Sequence, residues 1–163
     1  MTSPDPTAFR AAMRAVIGNC SLITTGTGED ANGLIVTSAV SLSIEPPTLL
    51  VCVNRQSSSF ATLQATGIFG WSCLGAAHQG VAERFSGVTG VRGPARYDGA
   101  KWETAVTGAR LLVGAPTAFD CTIDEMIDRT THTIVIGRVQ AIRSTPDAGA
   151  LTYWNGAYRA LTA

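Results

Sequence analysis

The strand-forming run from Val40 to Val53, interrupted by Pro46-Pro47, constrains this chain more than any other feature. From Val40 to Glu45, apolar Val40, Leu42 and Ile44 alternate with polar Ser41, Ser43 and Glu45, the period-two pattern of a half-buried strand. A proline has no N–H to give to a ladder, so this strand is expected to stop at Pro46. Leu49 to Val53 is then apolar without a break, as a strand covered on both faces would be. Hydroxyl-bearing turns flank the pair: Gly33 to Ser38 before it and Asn54-Arg55-Gln56-Ser57-Ser58-Ser59 after it. Three serines beside an arginine offer hydroxyl and backbone donors and one positive charge, the set a phosphate-bearing ligand needs. The same residues also make an ordinary solvated turn.

The remaining segments are short and mostly of strand type. Asp5-Pro6 is a helix start, with Phe9, Ala12, Met13 and Val16 forming one apolar face before Gly18 stops it, and this helix is expected to lie on the barrel. Cys20 to Thr25 and the segment from Gly33 form a hairpin across the polar turn Gly26 to Asn32. Phe60 to Ala65 reads as a helix closed by Gly67, Ile68 to Leu74 as a strand, and His78 to Phe85 as a helix with Val81 and Phe85 on one face. Gly87 to Gly99 is the expected long loop. Phe119, Cys121 and Ile123 alternate with Asp120, Thr122 and Asp124, and should pair antiparallel with Thr133–Val139 after a turn near Asp128. Many strands without regular strand-helix alternation predict a mainly β chain with flanking helices and a closed antiparallel barrel. No internal repeat or linker divides it, so a single domain over 1–163 is expected.

Composition removes several functions. Twelve basic and twelve acidic residues cancel, and no basic stripe is available for nucleic acid or a membrane surface. No apolar run approaches the roughly 18 residues of a membrane span, and the first residues lack a signal-peptide pattern, so a soluble cytoplasmic protein is expected. Cys20, Cys52, Cys73 and Cys121 are widely separated and read as small buried hydrophobes, while His78 and His132 lie on unrelated segments without metal-site spacing. There is no Gly-x-Gly-x-x-Gly after a strand, so a nicotinamide cofactor would have to be held outside a Rossmann fold.

Taken in order, Gly33–Pro47, the Asn54–Ser59 loop, Phe69–Leu74, Ala82-Glu83-Arg84-Phe85, Thr131-His132 and Tyr153–Tyr158 resemble the short-chain flavin reductase family over about Phe9 to Leu161. Its members are reductase components of two-component flavin monooxygenases, of the 4-hydroxyphenylacetate 3-monooxygenase kind. The resemblance implies the FMN-binding split-barrel fold and hydride transfer from NADH or NADPH to FMN or FAD. It also implies a homodimer and delivery of reduced flavin to a separate monooxygenase. It assigns the ring edge to Ile35, Val36, Thr37 and Ser38, with only a backbone role for Ile35, which stands where relatives carry threonine. The phosphate falls to Val53, Asn54, Arg55, Ser57, Ser58 and Ser59, with no single serine favoured, and Phe85 to ring cover. Ser72 stands where relatives often carry asparagine. His132 is assigned to the nicotinamide as the catalytic residue, and Tyr153, Gly156 and Tyr158 border that site. Backbone donors near the ring would stabilise charge that develops on reduction. No metal is implied. A corrin reductase of cobalamin synthesis on the same scaffold remains an alternative, as does a non-catalytic flavin-binding protein. A pyridoxamine-phosphate-oxidase-like enzyme is disfavoured by the lack of a basic set beyond Arg55.

Overall fold

The computed structural model describes residues 3–162 and is built mainly from antiparallel strands. Helix α1 (Pro6–Met13) begins as its residues dictate: Asp5 accepts from the Ala8 N–H at 3.1 Å, and Pro6 occupies the first turn, where no N–H is required. It stops at Met13 rather than near Gly18. Its apolar face covers no core. Phe9, Met13, Val16 and Ile17 are all exposed, so the expected packing of this helix on a barrel is not found. The helix is instead tied near its C-terminal end, where Arg14 O accepts from the Asn155 N–H at 3.0 Å and Ala15 O from the Trp154 indole at 3.2 Å.

Strands β1 (Gly18–Asn19), β2 (Ser21–Thr25), β3 (Asn32–Val36), β4 (Ala39–Ile44) and β5 (Pro47–Asn54) follow. Helix α2 (Phe60–Thr66) ends on Gly67, whose φ of 65° needs no Cβ to be accommodated, and leads into β6 (Ile68–Cys73). Helix α3 (Gln79–Ser86) is followed by β7 (Trp102–Thr104) and β8 (Arg110–Leu112), a short hairpin that strand patterning does not announce. The segment expected as a loop, Gly87 to Gly99, contains a 3-10 turn at Gly93–Tyr97, because Tyr97 is buried and its hydroxyl donates to Asn32 O at 2.6 Å. The long hairpin β9 (Thr117–Arg129) and β10 (His132–Ser144) turns at Thr130-Thr131, close to Asp128 as expected. Finally β11 (Ala150–Trp154) and β12 (Ala157–Leu161) join through Asn155-Gly156, whose φ values of 50° and 80° suit a tight hairpin turn.

Seven strands form one antiparallel sheet in the order β3-β2-β6-β9-β10-β5-β4, and β1-β11-β12 form a second. Inside the curl of the large sheet, Ile23, Val36, Val51, Val53, Phe69, Cys121 and Val135 pack with Phe60 and Leu63 of α2. Its other face packs Leu22, Ala118 and Leu111 with Phe85, Tyr97 and Leu151. Both faces are thus dry along β2, where every residue is buried. The expected closed barrel is not completed by hydrogen bonds: β3 and β4 remain the two edges of the sheet, joined only by the Thr37-Ser38 turn.

Two register details depart from the alternation. Val40, Leu42 and Ile44, the apolar face of a strand expected to be half-buried, are 54%, 52% and 91% exposed, because β4 is an edge strand with nothing packed upon it. Asp120, in an apparently solvent-facing position of β9, is fully buried and accepts from the N–H groups of Val106 and Thr107 at 2.6 and 2.8 Å. A buried carboxylate is tolerated there because donors of the β7–β8 loop surround it. Among the described residues all four cysteines are free, and no helix is long and apolar enough to cross a membrane.

Candidate functional site

A cleft of about 600 Å³ opens where the β3–β4 turn, the first residues of β10, helix α3 and the β11–β12 hairpin meet. Its floor is the chain from Leu34 to Ser38. That turn is fixed from beneath by a relay of polar side chains. The Trp71 indole donates to Ser21 Oγ at 2.8 Å, Ser21 donates to Asn19 Oδ1 at 2.7 Å, and the Asn19 amide donates to Ala39 O at 2.8 Å. Thr37 also rests directly on Gly18, where an added Cβ would lie 2.6 Å from Thr37 Cβ. The Ser38 hydroxyl donates to Cys52 O at 3.0 Å, while the Cys52 N–H donates to Ser38 O at 3.4 Å. The hydroxyl therefore takes the place a backbone N–H would fill in the ladder. Among the described residues, the Thr37 and Ser38 N–H groups make no hydrogen bond within the chain.

His132 enters from the opposite side because it opens β10 directly across from Asn54 of β5. Its Nδ1 lies 2.9 Å from the Thr131 hydroxyl. Tyr153 and Tyr158 form a wall, with ring centroids 5.3 Å apart and planes at 65°, and Gly156 lies in the turn that joins their strands. Burial raises the Tyr158 phenol above its ordinary pKa, against an opposing hydrogen bond with Ser86, so it is a neutral donor over the usual pH range. Ile35, Val36, Thr37, Ser38, Asn54, His132, Tyr153, Gly156 and Tyr158 are thereby brought to one cleft from segments spread over more than a hundred residues.

The other expected residues lie outside its lining. Val53 and Phe85 are buried, Val53 in the inner core and Phe85 edge-on to Tyr97 at 5.0 Å and over Gly33, where a Cβ would come within 2.8 Å of its ring. Ser59 is fully buried and its hydroxyl donates to Gly33 O at 2.7 Å, so it ties the serine loop to β3. Ser58 is exposed, with its carbonyl accepting from the Asn32 amide at 3.0 Å. Arg55 pairs with Asp128 at 3.6 Å, both about half exposed. Ser57 Oγ alone among the described residues is a buried polar side-chain atom without a partner.

Sequence reasoning missed Leu34, Cys52, Glu83, Ser86 and Val88, which also line the cleft. Glu83 and Ser86 are three apart on α3 and so share a face, the one adjoining that of buried Ala82 and Phe85. Helical spacing around Phe85 could have found them. Glu83, held by the Gln79 amide at 2.9 Å, is the one acidic residue of the lining, which contains no lysine or arginine. No group of three His, Cys, Asp or Glu side chains converges among the described residues. The cleft lies within the usual size range for a small-molecule site and combines apolar walls, two aromatic rings and free backbone donors. Those features fit a flat heteroaromatic ring with a polar edge.

A family model described as "Flavin reductase like domain" matches residues 13–162. The chain is 38% identical to a protein named FMN reductase (NADH) RutF 2 of Methylorubrum extorquens, covering 99% of this chain and 95% of that protein. It is 32% identical to FMN reductase (NADH) RutF of Cronobacter sakazakii, covering 95% and 92%. Among solved structures it resembles BorF, the flavin reductase component of a bacterial two-component tryptophan halogenase, with a TM-score of 0.88, 29% identity and coverage of 98% and 99%. A homologue of nitrilotriacetate monooxygenase component B from Mycobacterium thermoresistibile superposes with a TM-score of 0.85 at 27% identity, covering 95% and 86%.

Proposed function

The chain belongs to the flavin reductase family, and on that premise we propose that it is an NADH-dependent FMN reductase that releases reduced flavin to a separate flavin-dependent monooxygenase or halogenase. The observation that carries this reading is the pair of unbonded N–H groups at Thr37 and Ser38 on the floor of a cleft walled by Tyr153, Tyr158 and His132. A flavin held here would supply the hydride acceptor and a nicotinamide the hydride donor. The protein's own part is placement and electrostatics. Thr37 and Ser38 donate to the ring edge where negative charge develops, from a turn already rigid before the ligand arrives. Tyr153 and Tyr158 cover a ring face and exclude water, and His132 donates to the nicotinamide carboxamide. Holding the two rings in contact is worth more than any nucleophile here, so the lack of a catalytic dyad is expected.

Ser57 is the candidate for the phosphate within the Asn54–Ser59 loop, since its buried hydroxyl lacks a partner whereas Ser59 and Arg55 are already engaged. The seven-strand sheet corresponds in this reading to the split barrel of the family, with residues 1–163 acting as one domain and two copies as a homodimer. The bare apolar residues of edge strand β4 support the dimer. The deciding assay follows oxidation of NADH and of NADPH with FMN, FAD and riboflavin in excess. The expected outcome is turnover with NADH and FMN as the best pair. Flavin binding without NADH oxidation would make the protein a carrier instead.

A further inference from the structure

Glu83 is the only carboxylate on the cleft wall, and no lysine or arginine on that wall balances it. On a solvated helix a glutamate commonly finds a cation three or four residues away. Around Glu83 those positions hold Gln79, Gly80, Ser86 and Gly87, none of them charged. Gln79 donates to Oε1 at 2.9 Å, the carboxylate's only hydrogen bond among the described residues. Arg84, next in the chain, is turned toward the Gly93–Tyr97 segment instead: its Nε donates to Arg96 O at 3.2 Å and its Nη2 lies 4.0 Å from Asp98 Oδ2. Arg96 is likewise engaged, donating to Val91 O at 3.1 Å and Gly33 O at 2.9 Å. A whole negative charge is therefore left on α3 beside Tyr158. Burial does most to raise the Tyr158 phenol above its ordinary pKa, against a hydrogen bond with Ser86, and the charge of Glu83 is among the smaller contributions in the same direction. The floor of the cleft has the opposite polarity, because the Thr37 and Ser38 N–H groups there make no hydrogen bond within the chain.

We propose that Glu83 stabilises the positive charge that develops on the nicotinamide ring during hydride transfer. In that step the C–H bond of the donor breaks with its electron pair, and an N–H bond to the acceptor forms with the same pair. The transfer leaves a unit of positive charge on the nicotinamide ring and a unit of negative charge on the flavin, and no proton from the protein enters. The cleft is polarised in the same sense: donors at the β3–β4 turn meet the negative end, and the Glu83 carboxylate on α3, beside the tyrosine wall, meets the positive one. Rings that fill the cleft exclude water, so the carboxylate acts across a lower dielectric than in the open site. Because the dihydronicotinamide is neutral and its product is a cation, Glu83 favours the transition state over the bound reactant and does not merely tighten binding. The inference rests on the flavin reductase reading for its substrates.

The test is Glu83→Gln, which removes the charge and keeps an oxygen to accept from Gln79. Calorimetry on protein loaded with oxidised FMN compares two ligands that cannot reduce it: NAD+, with a cationic ring, and the tetrahydronicotinamide analogue of NADH, with a neutral ring and no hydride to give. The substitution should weaken NAD+ relative to the neutral analogue about fivefold, the worth of one partly screened charge pair. In stopped-flow at saturating NADH, the rate constant of FMN reduction should fall by a similar factor while the dissociation constant for NADH holds, and Glu83→Asp should recover part of the rate. An unmoved ratio of the two ligands overturns the proposal, and equal weakening of both does so too, since it would mark Glu83 as a residue that only shapes the wall. Tighter binding of reduced FMN by the variant, with the NAD+ ratio unmoved, would set the carboxylate against the flavin and also overturn it. Should Glu83→Gln fold poorly, Glu83→Ala gives the same comparison at this partly exposed helical position, where alanine is the best helix former. A wild type that oxidises NADH with FMN yet shows no change on substitution refutes the role of Glu83 alone. A wild type that binds neither flavin nor nicotinamide refutes the reductase reading, and this role with it.

Discussion

His132 is held at the cleft by the 2.9 Å contact between Nδ1 and the Thr131 hydroxyl, which leaves Nε2 without a partner among the described residues. If that nitrogen meets the nicotinamide, His132→Ala should lower kcat/KM for NADH about two- to tenfold, the worth of one ordinary hydrogen bond, and leave flavin affinity intact. Stopped-flow reduction with a flavin titration checks both halves, and unchanged NADH kinetics would reduce His132 to a strand-start residue. Ser57 predicts a different signature. Its hydroxyl is buried without a bond, so Ser57→Ala should change folding stability by no more than about 0.5 kcal/mol. It should weaken FMN while leaving riboflavin, which lacks the phosphate, unaffected. Parallel losses for the two flavins would move the phosphate elsewhere. At this scale the residue types were legible and their directions were not. Ser57, Ser58 and Ser59 read alike in sequence, yet Ser59 is turned inward to Gly33 and Ser58 outward to solvent, a choice set by how the loop enters α2.

Elements whose signals are local stand where the sequence places them. The Asp5-Pro6 start of α1, the Gly67 end of α2 and the β9–β10 pairing each depend on contacts a few residues apart or on simple alternation. The junction before α3 is also local, and it carries a pH dependence. His78 Nδ1 accepts from the Gly75 N–H at 3.0 Å, which requires a ring nitrogen free of its proton, and burial lowers its pKa below the ordinary 6.5. The folded state therefore binds this proton less readily than the unfolded chain. Stability from His78 is complete above about pH 6.5 and is lost as pH falls through the lower folded value. Thermal unfolding from pH 7.5 to 5 should show wild-type Tm falling faster than that of His78→Asn, which keeps an acceptor but no titration. Parallel curves would show that His78 is protonated without cost. Helix α1 obeys its local signals yet defies the packing its apolar face suggests, because amphipathicity states that a face is apolar without saying which surface covers it.

Over the whole molecule, the sheet leaves β4 as an edge whose Val40, Leu42 and Ile44 face outward, an arrangement that invites association. The proposed homodimer would cover it. Sedimentation at micromolar concentration should give a dimer for the wild type and a monomer for Leu42→Asp/Ile44→Asp; a monomeric wild type would end that proposal. The amino-acid sequence by itself determined the β-rich class, the caps and turns, and the order of segments that carries the family resemblance, since all of these are written in neighbouring residues. Only the tertiary structure decided which of those residues share a cleft. His132 reaches it through pairing with Asn54, seventy-eight positions earlier in the chain, and Arg55 is engaged by Asp128 across a comparable separation. Glu83 and Ser86 gain their neighbours in the same way. Such contacts follow from sheet register and the closing of long loops, a cooperative outcome of the entire core that no local window of sequence contains.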